Sequence, residues 1–510
     1  MKRGRISNQF LLYFLMLLFL VATVGCSSSD DAPAAASSAT ITGTVSGTTI
    51  VAIDENNAEQ ARMKATGTPK TFTITVPIGH TYRFYLIENE DTLEEKIFPL
   101  YYGATNAFSI ASVGTIDFGF VDTTNGVTAI PANNPLLVAG VSAAAENKLV
   151  PEIVLGPTPP AGTSLSDLVA SGLSSLQTGG ISKAKAYFKA AVTNYPSDTT
   201  NDGDTAKFFY AVTRVAGVNL YSDGDSTGTL NSVGDILDRA GCSAGGRSFD
   251  NSTMTCPETL PSTTPTGSAM QAFLYNVVRP ELVAALVNLD GVQSSFTKTW
   301  TNPIDSKSYI SDYGDVLVYK AAIKGALAAI NTQYAYVLDA NIATEVNNES
   351  NTVQAFLSSN PTFLTRASVY LTYLTTANSY LSTATDDLSA AITKIQTRNT
   401  VAYLINLQDK TETELNNMKS SLSAFKTSLS LGSTRYELVF PGDDATLGTS
   451  DDVKFSPSLF FDGLILRDLL PSFTGNTPGS FPDATMGGVI VQGVDINDDA
   501  NSNGIPDILE

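Results

Sequence analysis

The apolar residues change their period once along this chain, and that change constrains the fold more than any other feature. From Ala39 to about Asp122 they alternate with polar residues: Thr40-Ile41-Thr42-Gly43-Thr44-Val45, then Ile50-Val51-Ala52-Ile53, then Phe72, Ile74 and Val76 between threonines, then His80-Thr81-Tyr82-Arg83-Phe84-Tyr85-Leu86. A period of two puts successive side chains on opposite faces of a strand. Short runs of it, broken by Asp54-Glu55-Asn56-Asn57 and Pro77-Ile78-Gly79, predict antiparallel strands. From Leu165 the spacing becomes i, i+3, i+4, which gathers apolar residues on one helix face. Helices are predicted over 269–289, 316–338, 353–381 and 385–429, with Pro280 a break or a first-turn residue.

A chain of 510 residues is too long for one core, so the expected fold class is multidomain α+β. A small antiparallel β-sandwich (39–122) is followed by a linker rich in Asn, Pro, Ala and Gly (123–163). Next comes a larger all-α, helical-repeat-like domain (164–430), then an acidic C-terminal region (431–510).

Composition narrows the chemistry. Fifty acids against 30 bases give a formal charge of −20, with no basic stripe, so a nucleic-acid partner is not expected. One histidine (His80) and three cysteines leave little for metal hydrolysis or haem. Gly-x-Ser-x-Gly, His-Glu-x-x-His, the phosphate-binding Gly-x-x-x-x-Gly-Lys and Cys-x-x-Cys-His are all missing. A Ser-His-Asp triad would need His80, which falls at a strand entrance and reads as solvated or capping. No enzyme activity is expected. Paired carboxylates among 50 acids leave a glycosidase as the one alternative.

Lys2, Arg3 and Arg5, an apolar run from Phe10 to Val21, and Thr23-Val24-Gly25-Cys26 read as a signal segment over 1–25. Its end resembles a bacterial lipobox, although Thr23 replaces the usual Leu. The resemblance implies lipidation of Cys26, and with Ser27 after it, an outer-membrane location facing the periplasm or the surface. Residues 26–38 form a flexible tether. In an oxidising compartment Cys242 and Cys256 are expected to pair, closing a loop worth roughly 3 kcal/mol.

Four further resemblances rest on particular residues. TGTVSG, VAIDENN and TFTITVPIGHTYRFYL resemble the carboxypeptidase-regulatory-like, transthyretin-type sandwich, which implies a spacer or interaction module. Residues 165–198 resemble one tetratricopeptide repeat, with Gly172, Ala184, Phe188, Ala191 and Pro196 at the family's positions, and Leu168 and Ser175 departing from its Trp and Tyr. Ala206 and Phe209 continue it for half a repeat. The row Asp495, Asn497, Asp499, Asn501, Asn503, Gly504, Ile505, Asp507 and Glu510 is similar to EF-hand and thrombospondin type 3 calcium loops. It implies oxygen ligands from Asp499, Asn501, Asn503, Ile505, Asp507 and Glu510. Asp443, Asp444, Asp451 and Asp452 belong to a second loop resembling calcium-associated segments of bacterial surface proteins. Asp202-Gly203-Asp204 and Asp223-Gly224-Asp225 are expected as plain loops.

The function expected is that of a lipid-anchored, non-catalytic envelope protein presenting a helical surface to protein partners, with calcium stabilising its C-terminus. The alternative is capture of a glycan or nutrient, SusD-like in role. Tyr370, Tyr373 and Tyr380, at helical spacing, are expected to be packing residues, with a sugar-stacking platform as the alternative.

Overall fold

The computed structural model describes residues 38–45, 49–55, 59–88, 96–112, 114–124, 128–144, 159, 162–178, 181–217, 230, 232–242, 257, 259–301, 307–348, 352–398, 402–407, 410–431, 434–441, 447–450, 452–499 and 506. The chain is mixed α and β, with sheets over 38–143 and helices dominating the rest. Two compact units emerge, one within Met1–Thr264 and Val287–Ile310, the other within Pro265–Leu286 and Ser311–Glu510.

In the first unit the strands are β1 (Ser38–Val45), β2 (Thr49–Ile53), β3 (Glu59–Lys64), β4 (Lys70–Pro77), β5 (His80–Glu88), β6 (Lys96–Pro99), β7 (Phe108–Ile110), β8 (Thr115–Asp122), β9 (Ile130–Pro131) and β10 (Val141–Ala143). One sheet runs β4-β1-β8-β9, the other β10-β7-β5-β2-β3 with β6 also on β5. Ile41, Phe72, Ile74 and Phe118 of the first sheet and Ile50, Phe84, Leu86 and Phe108 of the second share one buried core. In β4 the predicted alternation appears as buried Phe72, Ile74 and Val76 between exposed threonines. By contrast, β5 is buried on both faces, because Tyr85 and Ile87 pack with Val51, Ile53 and Ile97 in a second cluster.

Two features differ from the sequence reading. The pairing is not wholly antiparallel: β1 runs antiparallel to β4 and parallel to β8. The stretch read as a linker also supplies β9 and β10, which pair with β8 and β7. Backbone pairing needs no long apolar run, so two- and three-residue strands escape a periodicity test.

The unit's helices are α1 (Leu165–Thr178), α2 (Ile181–Asn194), α3 (Asn201–Gly217) and α4 (Val233–Arg239). Leu168, Ala184, Phe188 and Ala191 are all fully buried. A Cβ on Gly172 would lie 2.6 Å from the Phe188 ring, so only glycine lets α1 and α2 approach this closely. Phe188 stacks on Phe209 of α3 at 5.6 Å, and Phe209 meets Trp300 edge-on at 5.4 Å. Asp202-Gly203-Asp204 is not a loop but the first turn of α3, where carboxylates complement the helix N-terminus. Burial pushes the Asp204 carboxyl above its ordinary range, with Lys207 Nζ 3.6 Å away.

The second unit begins with α5 (Gly267–Phe273), which continues through a π-helical turn (Leu274–Val278) into α6 (Arg279–Asp290); Pro280 sits in the first turn of α6. It continues with α7 (Tyr313–Tyr334), α8 (Ile342–Asn347), α9 (Val353–Ser359), α10 (Tyr370–Ile395), α11 (Glu412–Ser428), α12 (Ser458–Phe461) and α13 (Leu466–Leu469). The predicted helix over 353–381 breaks after Ser359, because Asn360 precedes Pro361 and is pushed out of the helical region. The predicted boundary near 381–385 does not exist, since α10 runs straight through it. A new helix starts only at the Thr411–Glu414 capping box. Ala328, Ala335, Leu374, Ala377, Leu429 and Phe461 form the buried core around α7 and α10.

Candidate functional site

The second unit carries a cluster of three tyrosines and one arginine. The construction begins at α5, whose Gln271 Nε2 donates to Gln333 O and Tyr336 O, both at 2.8 Å, while its Oε1 accepts from Leu338 N–H at 3.2 Å. Ser268 Oγ donates to Asp339 Oδ1 at 2.8 Å. A Cβ on Gly267 would fall 1.8 Å from Leu338 O, so glycine is what allows this approach. Tyr275 in the π-helical turn and Arg279 after it stand four residues apart, the spacing at which helical side chains meet.

Tyr275 stacks on Tyr334 with centroids 4.1 Å apart, and Tyr373 meets both edge-on at 5.5 and 5.2 Å. The Arg279 guanidinium lies 4.8 Å from the Tyr275 centroid. All four residues are half-buried. Burial, then the neighbouring Tyr275, pushes the Tyr373 hydroxyl upward. Arg279 Nε is shut off from solvent without a hydrogen-bond partner, and among the described residues this guanidinium meets no carboxylate. Such a group is costly to leave unsatisfied. Arg279 and Glu281 also lie in a mainly apolar helix, Gly267–Asp290, which by length and composition alone could cross a membrane, an 18-residue stretch of it having a mean hydropathy of 1.2.

A second feature lies on the opposite face of α10. A cleft of about 420 Å³ runs between α10 and α11, lined by Thr375, Ser379, Ser382, Thr383, Thr427 and Ser430 among others. Thr383 and Thr427 donate back to their own helices at 3.0 and 2.9 Å, which uses up each hydroxyl's one proton. Lys426 on this cleft is held by Asp386 at 2.7 Å.

The sequence-predicted residues fare unevenly. His80 Nδ1 lies 2.8 Å from Glu55 Oε1, and Thr81 N–H donates to Glu55 Oε2 at 2.8 Å. His80 thus clamps the Glu55 turn onto β5, and its hydrogen bond, helped by that of Thr81, holds the Glu55 carboxyl below its ordinary range. Tyr373 joins the cluster, whereas Tyr370 lies under Arg366 at 4.6 Å and Tyr380 packs on the core.

In the calcium row, Asp495 Oδ1 accepts from Asn497 N–H at 2.9 Å. The Asn497 amide is engaged with the Phe481 backbone, its Oδ1 accepting at 2.6 Å and its Nδ2 donating at 3.4 Å. Asp499 is described; Asn501, Asn503, Ile505, Asp507 and Glu510 lie outside the described residues. In the second loop, Asp452 is not a solvated turn residue. It is 1% exposed, its Oδ2 accepts from Gly448 N–H at 2.7 Å, and its Oδ1 has no partner. Asp443, Asp444 and Asp451 lie outside the described residues. Among the described residues no three His, Cys, Asp or Glu side chains gather as a metal group. Cys242 is disulfide-bonded, while Cys256 and Cys26 lie outside the described residues.

No protein-family model, curated protein or solved structure matches this chain. The functional reading therefore rests on its own geometry. Sequence reasoning singled out Tyr373 alone of the four clustered residues. The i, i+4 spacing of Tyr275 and Arg279 was the one signal that would have added two more.

Proposed function

We propose that this chain is a lipid-anchored, non-catalytic binding protein of the bacterial outer membrane that presents the helical surface of its second unit to a protein partner. The carrying observation is the half-exposed cluster of Tyr275, Tyr334, Tyr373 and Arg279. Tyrosine and arginine are among the residues in which binding energy concentrates at protein interfaces, tyrosine for its large rigid contact area with a polar tip and arginine for its planar, multi-donor cation. The N-terminal sheets serve as a spacer or interaction module, as their sandwich resemblance implies. The test compares radical footprints of the chain in intact envelopes and after purification. Shielding of the three tyrosines in the envelope supports the reading, and unchanged reactivity at all three removes it.

A second reading, capture of a glycan or other polar nutrient, is favoured by the hydroxyl-lined cleft between α10 and α11. The cleft offers donors and acceptors but no aromatic ring among its lining residues, and a ring is the usual platform for a sugar face. Protein binding therefore ranks first.

Calcium is proposed as the ion that holds the acidic tail, through Asp499, Asn501, Asn503, Ile505, Asp507 and Glu510. Excess calcium is then expected to stabilise the chain by about 2.7 kcal/mol at one hundred times the dissociation constant. A thermal melt with calcium and with chelator reads this as a higher Tm that Asp499→Ala abolishes. Identical melting in both buffers removes calcium from the reading.

A further inference from the structure

We propose that Arg279 is the anion-recognising residue of this surface, and that its ligand is a carboxylate presented by an acidic peptide segment of the partner. The inference rests on the protein-binding reading above and names the chemistry of the contact. Its first support is an imbalance within the chain itself. Arg214, Arg366, Arg398, Arg435 and Arg467 each donate to a protein oxygen. Lys207, Lys324 and Lys426 each face an aspartate. Arg279 makes neither kind of contact among the described residues, although the chain carries 50 acids, and its Nε is already withdrawn from water. A guanidinium in that state gains more from an incoming carboxylate than a solvated one does, because part of its desolvation is already complete.

Geometry selects the kind of ligand. One face of Tyr275 is covered by Tyr334 at 4.1 Å and Arg279 stacks on the ring at 4.8 Å, so Tyr275 has no open face for a sugar or a base. What the cluster offers beyond the ring faces is polar side-chain tips and a planar cation stacked on Tyr275. Planar N–H edges and phenol donors match a carboxylate. One unpaired cation also balances one carboxylate, whereas a dianionic group would add surplus charge to a chain already at −20.

The experiment uses the full chain, labelled with ¹⁵N-arginine and solubilised in a neutral detergent. The Arg279 Nε–H resonance is identified by its loss in Arg279→Lys. The probes are two capped peptides, Ac-Gly-Glu-Gly-amide and its glutamine counterpart, with inorganic phosphate as a third. The expected result is a saturable shift of the Arg279 signal with the glutamate peptide, with a dissociation constant of about 1 mM. Binding is expected to be about tenfold weaker for the glutamine peptide, the loss of one charge-assisted hydrogen bond. Equal shifts with both peptides, or none with either, overturn the inference. A shift with phosphate alone overturns the peptide assignment and makes this an inorganic anion site. Tyrosine shielding in the envelope together with a silent Arg279 resonance would leave the protein-binding reading standing and sink only this one.

Discussion

Replacing Arg398 by methionine is expected to cost the second unit about 3–5 kcal/mol, the penalty for removing one partner from a buried ionic group. Arg398 is 8% exposed and Asp315 fully buried. The guanidinium bonds Asp312 through Nη2 and Nε, reaches Asp315 Oδ2 at 3.0 Å, donates through Nη1 to Ile405 O, and stacks 4.6 Å from the Tyr403 centroid. The two aspartates also form the capping box of α7, in which Gly314 N–H donates to Asp312 Oδ1 at 2.7 Å and Asp312 N–H to Asp315 Oδ2 at 2.8 Å. Methionine fills much of the volume but strands two carboxylates side by side.

The loss is expected to depend on pH. Burial pushes the Asp315 carboxyl up to about 6 from its ordinary 3.8, against the pull of Arg398. A carboxyl raised on folding contributes stability that is fully present below the unfolded value and lost as pH rises through the folded one. Without the guanidinium the carboxyl rises further, so the deficit of the variant is largest at pH 8 and shrinks at pH 5. Urea titrations of both chains at the two pH values check this. Equal losses at both would show that the stranded carboxylates are not the cause.

The second large effect lies in the β-sheet region. Phe84→Ala is expected to destabilise it by about 3–5 kcal/mol, the usual cost of emptying a buried aromatic site. Phe84 is 1% exposed, meets Phe118 of the facing sheet edge-on at 5.2 Å, and lies 6.2 and 6.1 Å from Tyr82 and Phe108. It bridges both sheets, so its removal opens a cavity that neither can close alone. Against a typical domain stability of about 5–15 kcal/mol, this is close to unfolding. Chemical denaturation followed by circular dichroism measures it; a loss below about 1 kcal/mol would mean that the sheets do not share this core.

How much of this was legible in the sequence depends on the range of the interaction. Alternation in β4 is a local pattern that was read directly, while Gly172 and Phe188 were singled out only as positions matching the tetratricopeptide resemblance. The helix ends at Ser359 and Thr411 were written in Asn360-Pro361 and in Thr411-x-x-Glu414, but uniform apolar spacing across the gaps concealed them. The pairing of Arg398 with Asp312 spans 86 residues, and no periodicity carries information over that distance. The tyrosine cluster draws on three segments in the same way, and the isolation of Arg279 among the described residues is visible only once the acids of those residues have been placed.

Protein binding at this cluster is tested most directly by the tyrosine footprint in intact envelopes, which carries its own references. Tyr436, 45% exposed, marks full reactivity, and Tyr82, fully buried, marks none. A partner seated on the second unit predicts that Tyr275, Tyr334 and Tyr373 react at an intermediate level in the purified chain and fall together toward the level of Tyr82 in the envelope, with Tyr436 unchanged. Three tyrosines reacting alike in the envelope and in isolation would contradict it, leaving the cluster as packing and the chain without a protein partner on this face.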